Sequence, residues 1–341
     1  MSWLVWRTYR AQAAAAGAVL AGFAVLVIIT GMQMASQWHS ALVTCTASHT
    51  CGNLSGTLFL GSHAVGFLVI MTLGVPAVLG MLCGAPAVAQ EVEAGTSQFA
   101  WTQSITRRRW LAVKAGWLLL AAASIAGIVS ILVTWWSGPN NALQANAFAP
   151  GRFDIMGIVP VGYAVFAMAL GITAGALLRR TLPAIAVTLA GFIAVRAVIY
   201  IWARSHFITP VTAYFPLNHG LMPTGSLWQL AAGYVGADGQ PLAIPQSTNG
   251  PVLNTAVGTG LPVSALPAPC QALAGGGNAP LTRASEHALL ACAQAHHIRA
   301  FLTYQPAGRY WAFQGIETGI FVLLAAALLA VAFVAITRRD A

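Results

Sequence analysis

Six stretches of the chain carry almost nothing but apolar side chains: Ala13–Met32, His63–Cys83, Ala115–Trp136, Ile155–Leu178, Leu182–Trp202 and Phe313–Ile336. Each is close to the ~20 residues that a helix needs to cross the hydrocarbon of a bilayer. The pattern therefore predicts six transmembrane helices and an all-α polytopic membrane protein. Only Arg196 and Glu317 put a charge inside these stretches. The first is too long for a cleavable signal peptide, and no small-residue cleavage site follows it.

The polar segments between them divide the rest. Residues 1–12 place Trp3 and Trp6 three apart, with Arg7 and Arg10 on another side. This suits an amphipathic helix lying in the membrane interface. Residues 13–202 hold spans one to five, with a loop at 84–110. Residues 203–312 are too polar and too rich in glycine and proline for another span, and 313–341 hold span six and a tail. Within 203–312, residues 236–280 read as loop, with breakers such as Gly239-Gln240-Pro241 and Gly275-Gly276-Gly277. Residues 283–302 read as one amphipathic helix with Leu289, Leu290, Ala293 and Phe301 on its apolar side.

Composition removes the soluble alternatives. Of 341 residues 58 % are hydrophobic and 7 % charged, against roughly 25 % charged in a soluble domain. Sixteen basic and seven acidic side chains cannot coat a water-soluble body of this length. The net charge of +9 does not indicate nucleic acid, because a single lysine, Lys114, and scattered arginines make no phosphate-binding face. It records orientation instead. With the N-terminus in the cytoplasm, the inner segments hold Arg7, Arg10, Arg107, Arg108, Arg109, Lys114, Arg179, Arg180, Arg338 and Arg339. The outer ones hold Arg152, Arg204, Arg283, Arg299 and Arg309. The excess of basic residues belongs inside, so both termini are expected in the cytoplasm of a cell-membrane protein.

On that topology Cys45 and Cys51 fall in the first outer loop and Cys270 and Cys292 in the large outer segment, while Cys83 stands at the inner end of span two. Four cysteines in an oxidising compartment suggest two disulfides. Three pairings are possible, and the local one, Cys45–Cys51 with Cys270–Cys292, is the simplest. His287, His296 and His297 gather near Cys292, but exposed histidines on a solvated helix are common and Cys292 serves better in a disulfide, so no metal site is expected. No G-x-x-x-x-G-K-[ST], H-E-x-x-H or G-x-S-x-G sequence occurs.

The most informative polar stretch lies between spans two and three. It runs Gln90-Glu91-Val92-Glu93-Ala94-Gly95-Thr96, then Ser97-Gln98-Phe99-Ala100-Trp101-Thr102-Gln103, then Arg107-Arg108-Arg109-Trp110. Gly95 can end one helix and Thr96 or Ser97 cap the next. Phe99 and Trp101 put bulky apolar groups on a segment otherwise exposed to cytoplasm. One reading is interfacial anchoring. The other is a short helix that docks on a soluble partner, favoured by Glu91 and Glu93, which gain nothing beside anionic headgroups.

This E-x-E-x-G-T, W-T-Q-S-x-T-R-x-R-W pattern followed by Lys114 resembles the loop between spans two and three of the type-2 family of ABC exporter permeases, in their actinobacterial form. Gly171–Arg180 followed by Thr181-Leu182-Pro183-Ala184 resembles that family's exit from span four. Tyr304-Gln305-Pro306 with Phe313-Gln314-Gly315-Ile316-Glu317 resembles its approach to span six. The resemblance implies a permease subunit that is not itself an enzyme. It implies a coupling helix seated on a separate ATPase through Glu91, Glu93, Thr96, Phe99, Trp101 and Arg107. Two ATPase subunits carrying ATP and Mg, and a second permease copy forming a homodimer, would complete the transporter. No cofactor is expected on this chain. The resemblance also implies that spans two and five face a central cavity, lined by Phe67, Met71, Thr188 and Phe192, for a hydrophobic or amphipathic drug-like or lipid-like substrate. A proton-coupled secondary transporter and a membrane-embedded enzyme are the competing readings; both need more polar groups at membrane depth than the spans supply.

Arg196 lies six residues before Trp202, and Glu317 six residues after Trp311. At ~1.5 Å per residue both sit about 9 Å inward from an aromatic belt. Matched depth and the cost of a lone charge predict an ion pair between them, or else a snorkelling arginine and an acid that is protonated or bonded to backbone. A Gly171–Gly175 pair would let another helix approach span four closely.

Overall fold

The computed structural model describes residues 20–33, 59–93, 106–137, 147–149, 151–217, 227–242, 252–253, 260–274 and 281–338, together with scattered positions between 14 and 43. The predicted interfacial helix 1–12, Cys45, Cys51, Thr96, Phe99 and Trp101 lie outside the described residues, as does the segment 94–105 at the centre of the expected coupling loop. The chain forms two compact units, Met1–Phe207 with Tyr310–Ala341, and Ile208–Arg309.

The first unit is helical; among the described residues the chain has six helices long and apolar enough to cross a membrane: Leu20–Gln37, Val69–Glu93, Arg108–Trp136, Val159–Leu178, Thr181–His206 and Ala307–Arg338. Their boundaries depart from the hydropathy pattern in instructive ways. Span two is helical from Phe59, passes through a π turn at Gly80–Gly84 and continues as Ala85–Glu93, so half of the expected loop 84–110 is helix. Span three begins at Arg107, capped by Thr106, whose hydroxyl accepts from Arg109 N at 3.4 Å. Span five runs past Val198 through a second π turn, Ile199–Ala203, and a short 3-10 turn, Arg204–His206. Span four starts only at Val159, because Gly157 adopts φ +73° and separates it from a buried turn of helix at Arg152–Ile155.

Span four is the hub: fifteen of its twenty residues are buried. Small side chains make this possible. A Cβ at Gly171 would overlap the carbonyl oxygen of Gly80, and one at Gly175 would stand 2.5 Å from that of Ala85. Spans two and four therefore touch backbone to backbone along the π turn, a close approach that small residues permit and dispersion rewards. Met168, Ile172 and Ala176 continue the core toward Leu111 and Ala115 of span three and Ala332 and Ile336 of span six.

The second unit corrects the all-α expectation. It contains a three-stranded antiparallel sheet in the order β1-β5-β2, made of β1 Val211–Pro216, β2 Trp228–Val235 and β5 Arg299–Gln305. A small ladder pairs β3 Val252–Leu253 with β4 Leu261–Pro262, within the stretch expected to be loop. The helix expected over 283–302 ends at Ala295, and Phe301 belongs to β5. His297 N donates to Gln294 O (2.8 Å) and Ile298 N to Ala293 O (3.0 Å), a Schellman closure that places His297 at φ +55°. Beyond it the period changes from helix to strand: Ala300 and Leu302 are buried, and Arg299 points to the other face. Leu289 and Ala293 pack with Ala300, Tyr234, Leu253, Leu261 and Leu266 in one core. Cys270 and Cys292 are joined in a disulfide that ties the 283–295 helix to the turn at Ala268–Gln271; Cys83 is a free thiol. The strands entering and leaving the unit are cross-tied, since Gln305 Nε2 donates to Ile208 O (2.6 Å) and Arg309 to Thr209 O (2.7 Å).

Candidate functional site

Charged groups collect at both ends of the helical unit. At the Glu93 end, Glu91 Oε1 lies 2.5 Å from the ammonium of Lys114, which is 4 % exposed and stands 5.0 Å above the Trp110 ring. Glu93, one helical side further on, accepts from both the backbone N (3.1 Å) and the hydroxyl (2.8 Å) of Thr181. Thr181 opens span five after a turn in which Arg179 is left-handed, φ 54°. The side chain of Glu93 thus caps span five, supplying an acceptor and a negative charge to the unpaired N–H groups at a helix start. The two acids expected to face a soluble partner are therefore bonded within the chain, one to span three and one to span five. Arg107 opens span three.

At the opposite end, buried charges converge. Arg204 donates to Glu317 through Nε (2.9 Å to Oε2) and Nη2 (2.8 Å to Oε1), a bidentate pair. Its Nη2 also contacts Asp154 Oδ1, and the guanidinium lies 4.4 Å above the Phe153 ring. The Tyr163 hydroxyl is 2.5 Å from Glu317 Oε1 and 2.9 Å from Asp154 Oδ1. With one proton it donates to one carboxylate at a time. Arg196 approaches Asp154 at 3.6 Å and covers the Tyr163 ring at 4.8 Å. Side-chain exposures of 4 % for Arg204, 6 % for Asp154 and 1 % for Glu317 show how far these charges are withdrawn from solvent.

The ion pair expected between Arg196 and Glu317 is corrected accordingly: Glu317 pairs with Arg204, and Arg196 with Asp154. The π turn is the physical reason. Eight positions separate the two arginines, but a π turn absorbs one extra residue, and the remaining seven fall about 20° short of two turns. Both guanidinium groups thereby share one face of span five. Hydropathy had placed Arg204 and Asp154 outside the spans, and Tyr163 carried no charge to mark it. For Arg204 and Asp154 the one sequence signal is position, just beyond a span end.

Gln314 completes this end. Its Oε1 accepts from Ile158 N and Val159 N, both at 3.0 Å, and its Nε2 donates to Phe153 O at 3.0 Å. A Cβ at Gly157 would stand 2.7 Å from Gln314 Oε1, so glycine serves both the left-handed turn and the close approach. Spans four, five and six and the turn before span four are thus locked by groups that satisfy one another, as buried charges require.

The four candidates for a substrate wall separate. Phe67 and Met71 are exposed on span two (57 % and 46 %), whereas Thr188 and Phe192 are buried on span five. Thr188 returns its hydroxyl to Ala184 O (2.6 Å), and Phe192 stacks edge-on against Tyr163 at 6.4 Å. Those two are packing residues in this structure.

Residues 17–204, more than half of the chain, match the family described as ABC-2 membrane transporter related. The chain belongs to this family. No curated protein and no solved structure matches it. Family membership and six apolar helices make this ABC-2-related chain a multi-pass protein of the plasma membrane. The matched segment ends at Arg204 and so spans five helices, both carboxylates of the Glu93 end, and all of the buried charge network except Glu317.

Proposed function

We propose that the chain is the membrane-spanning subunit of an ATP-driven exporter, moving a hydrophobic or amphipathic substrate outward with energy from a separate ATPase. The family match is the observation that carries the reading. The bonds of Glu91 and Glu93 support it mechanically, since a displacement of the segment between spans two and three reaches span three through Lys114 and span five through Thr181. In this reading both termini are cytoplasmic, Thr96, Phe99, Trp101 and Arg107 meet the ATPase, and Glu91 and Glu93 position that surface. ATP and Mg belong to two ATPase subunits. A second copy of the chain completes a homodimer, with Phe67 and Met71 of span two turned toward it or toward lipid.

Co-expression of the chain with its ATPase, followed by co-purification and hydrolysis measurements in nanodiscs, tests this. Trp101→Ala should reduce co-purification. Glu93→Ala and Thr181→Val should each leave the ATPase bound but abolish stimulation of hydrolysis by substrate. If Glu93→Ala releases the ATPase from a well-folded permease while Trp101→Ala does not, the assignment of roles is wrong. If no ATPase co-purifies with the unaltered chain, the exporter reading falls.

A further inference from the structure

We propose that the Ile208–Arg309 unit carries a binding pocket for a small aromatic carboxylate, formed by Tyr214, Phe215, Gln294, His297, Ile298 and Arg299 around a cavity of about 330 Å³. The volume lies at the small end of the roughly 300–1,000 Å³ that ligand sites occupy, room for a body of one or two rings. The proposal stands apart from the transport reading.

Its lining is one-sided in chemistry. The pocket offers donors and apolar surface and, among the described residues, contains no carboxylate. Arg299 opens β5 opposite Pro216, so it shares a sheet face with Tyr214, whose ring lies 5.4 Å from its guanidinium carbon. Among the described residues no acid pairs with Arg299, and the fork of N–H groups remains available for bidentate contact with a carboxylate. Gln294 lines the same pocket, and its buried Nε2 has no hydrogen-bond partner among the described residues. A buried amide left unpaired is costly in a folded protein, and an oxygen acceptor in the pocket would relieve it.

His297 is the third sign. It occupies the left-handed position of the Schellman closure, where glycine is favoured because it has no Cβ. Strain of this kind gathers at ligand sites, where the side chain rather than the backbone justifies the residue. His297 lines the pocket together with Gln294 and Arg299. The exposed ring of Tyr214, on the same sheet face as Arg299, provides the apolar surface for a planar body.

The experiment uses the full chain in nanodiscs and three probes: naphthoate, its neutral analogue naphthylmethanol, and inorganic phosphate. Naphthoate should bind the unaltered chain. Arg299→Gln should weaken it roughly ten- to a hundredfold, the range for a charge-assisted hydrogen bond, with Arg299→Lys intermediate. Gln294→Leu should weaken it less. His297→Gly should raise the apparent melting temperature while weakening naphthoate, a combination that a purely structural histidine would not produce. Retention of the Cys270–Cys292 disulfide in each variant checks the fold. Absence of naphthoate binding, equal binding of naphthylmethanol, or indifference to Arg299→Gln would each overturn the proposal. Phosphate binding as tightly as naphthoate would remove the aromatic body from it.

Discussion

Replacing Arg204 with methionine removes the centre of the buried charge network while leaving an apolar stem of similar reach. Two bonds to Glu317, at 2.9 and 2.8 Å, disappear together with the contact to Asp154. Glu317, 1 % exposed, keeps only the Tyr163 hydroxyl, and Asp154 keeps Arg196 at 3.6 Å. Breaking a buried pair by removing one partner costs about 3–5 kcal/mol, because the remaining charge is neither solvated nor paired. Arg204→Met should therefore lower the equilibrium constant for folding by two to four orders of magnitude, at ~1.4 kcal/mol per tenfold. Adding Glu317→Leu removes the stranded charge and leaves Asp154 balanced by Arg196. That double variant should lose clearly less than the sum of the two single losses, with a coupling energy of about 2–3 kcal/mol. Arg204→Lys keeps the charge but not the planar fork and should fall between. Equilibrium unfolding in mixed micelles, followed by tryptophan fluorescence, measures all three. A loss below ~1 kcal/mol for Arg204→Met, or losses that simply add in the double variant, would refute the network as the tie between spans five and six.

Other outcomes follow from the same geometry. Glu91→Gln removes the carboxylate 2.5 Å from a nearly buried ammonium and should cost about 1–3 kcal/mol in the same unfolding assay, with Glu91→Asp milder. Gly171→Ala should destabilise the unit although alanine is the better helix former by about 1 kcal/mol, because the new methyl overlaps the Gly80 carbonyl; a gain in stability would show that spans two and four have room to separate. Removing the disulfide by Cys270→Ala with Cys292→Ala opens a loop of sequence separation 22, and the chain-entropy relation assigns it about 3 kcal/mol. Limited proteolysis should then cut the 268–295 region of the variant while sparing that of the unreduced parent.

The six spans were legible in the chain because burial in lipid is a one-dimensional demand: about twenty apolar residues in a row announce a span whatever they later touch. The Glu-x-Glu stretch, Lys114, and the cysteines of the large polar segment were legible as chemistry, since charges and thiols are conspicuous in a chain with so few of them. Which groups meet was not. Glu91 and Glu93 stand two positions apart and bond to partners 23 and 88 residues away, distances set only when spans two, three and five pack around span four. Arg204 displaced Arg196 as the partner of Glu317 because a π turn shifted the helical register by one residue, a change invisible to an apolar/polar pattern. The sheet of the 208–309 unit was hidden for a related reason. Its strands are short, two are edge strands, and β5 follows the helix after a three-residue reversal, so helical and strand periods overlap within 283–305. Local hydrophobicity decides that a segment leaves water; only close packing of the segments decides which side chain answers which.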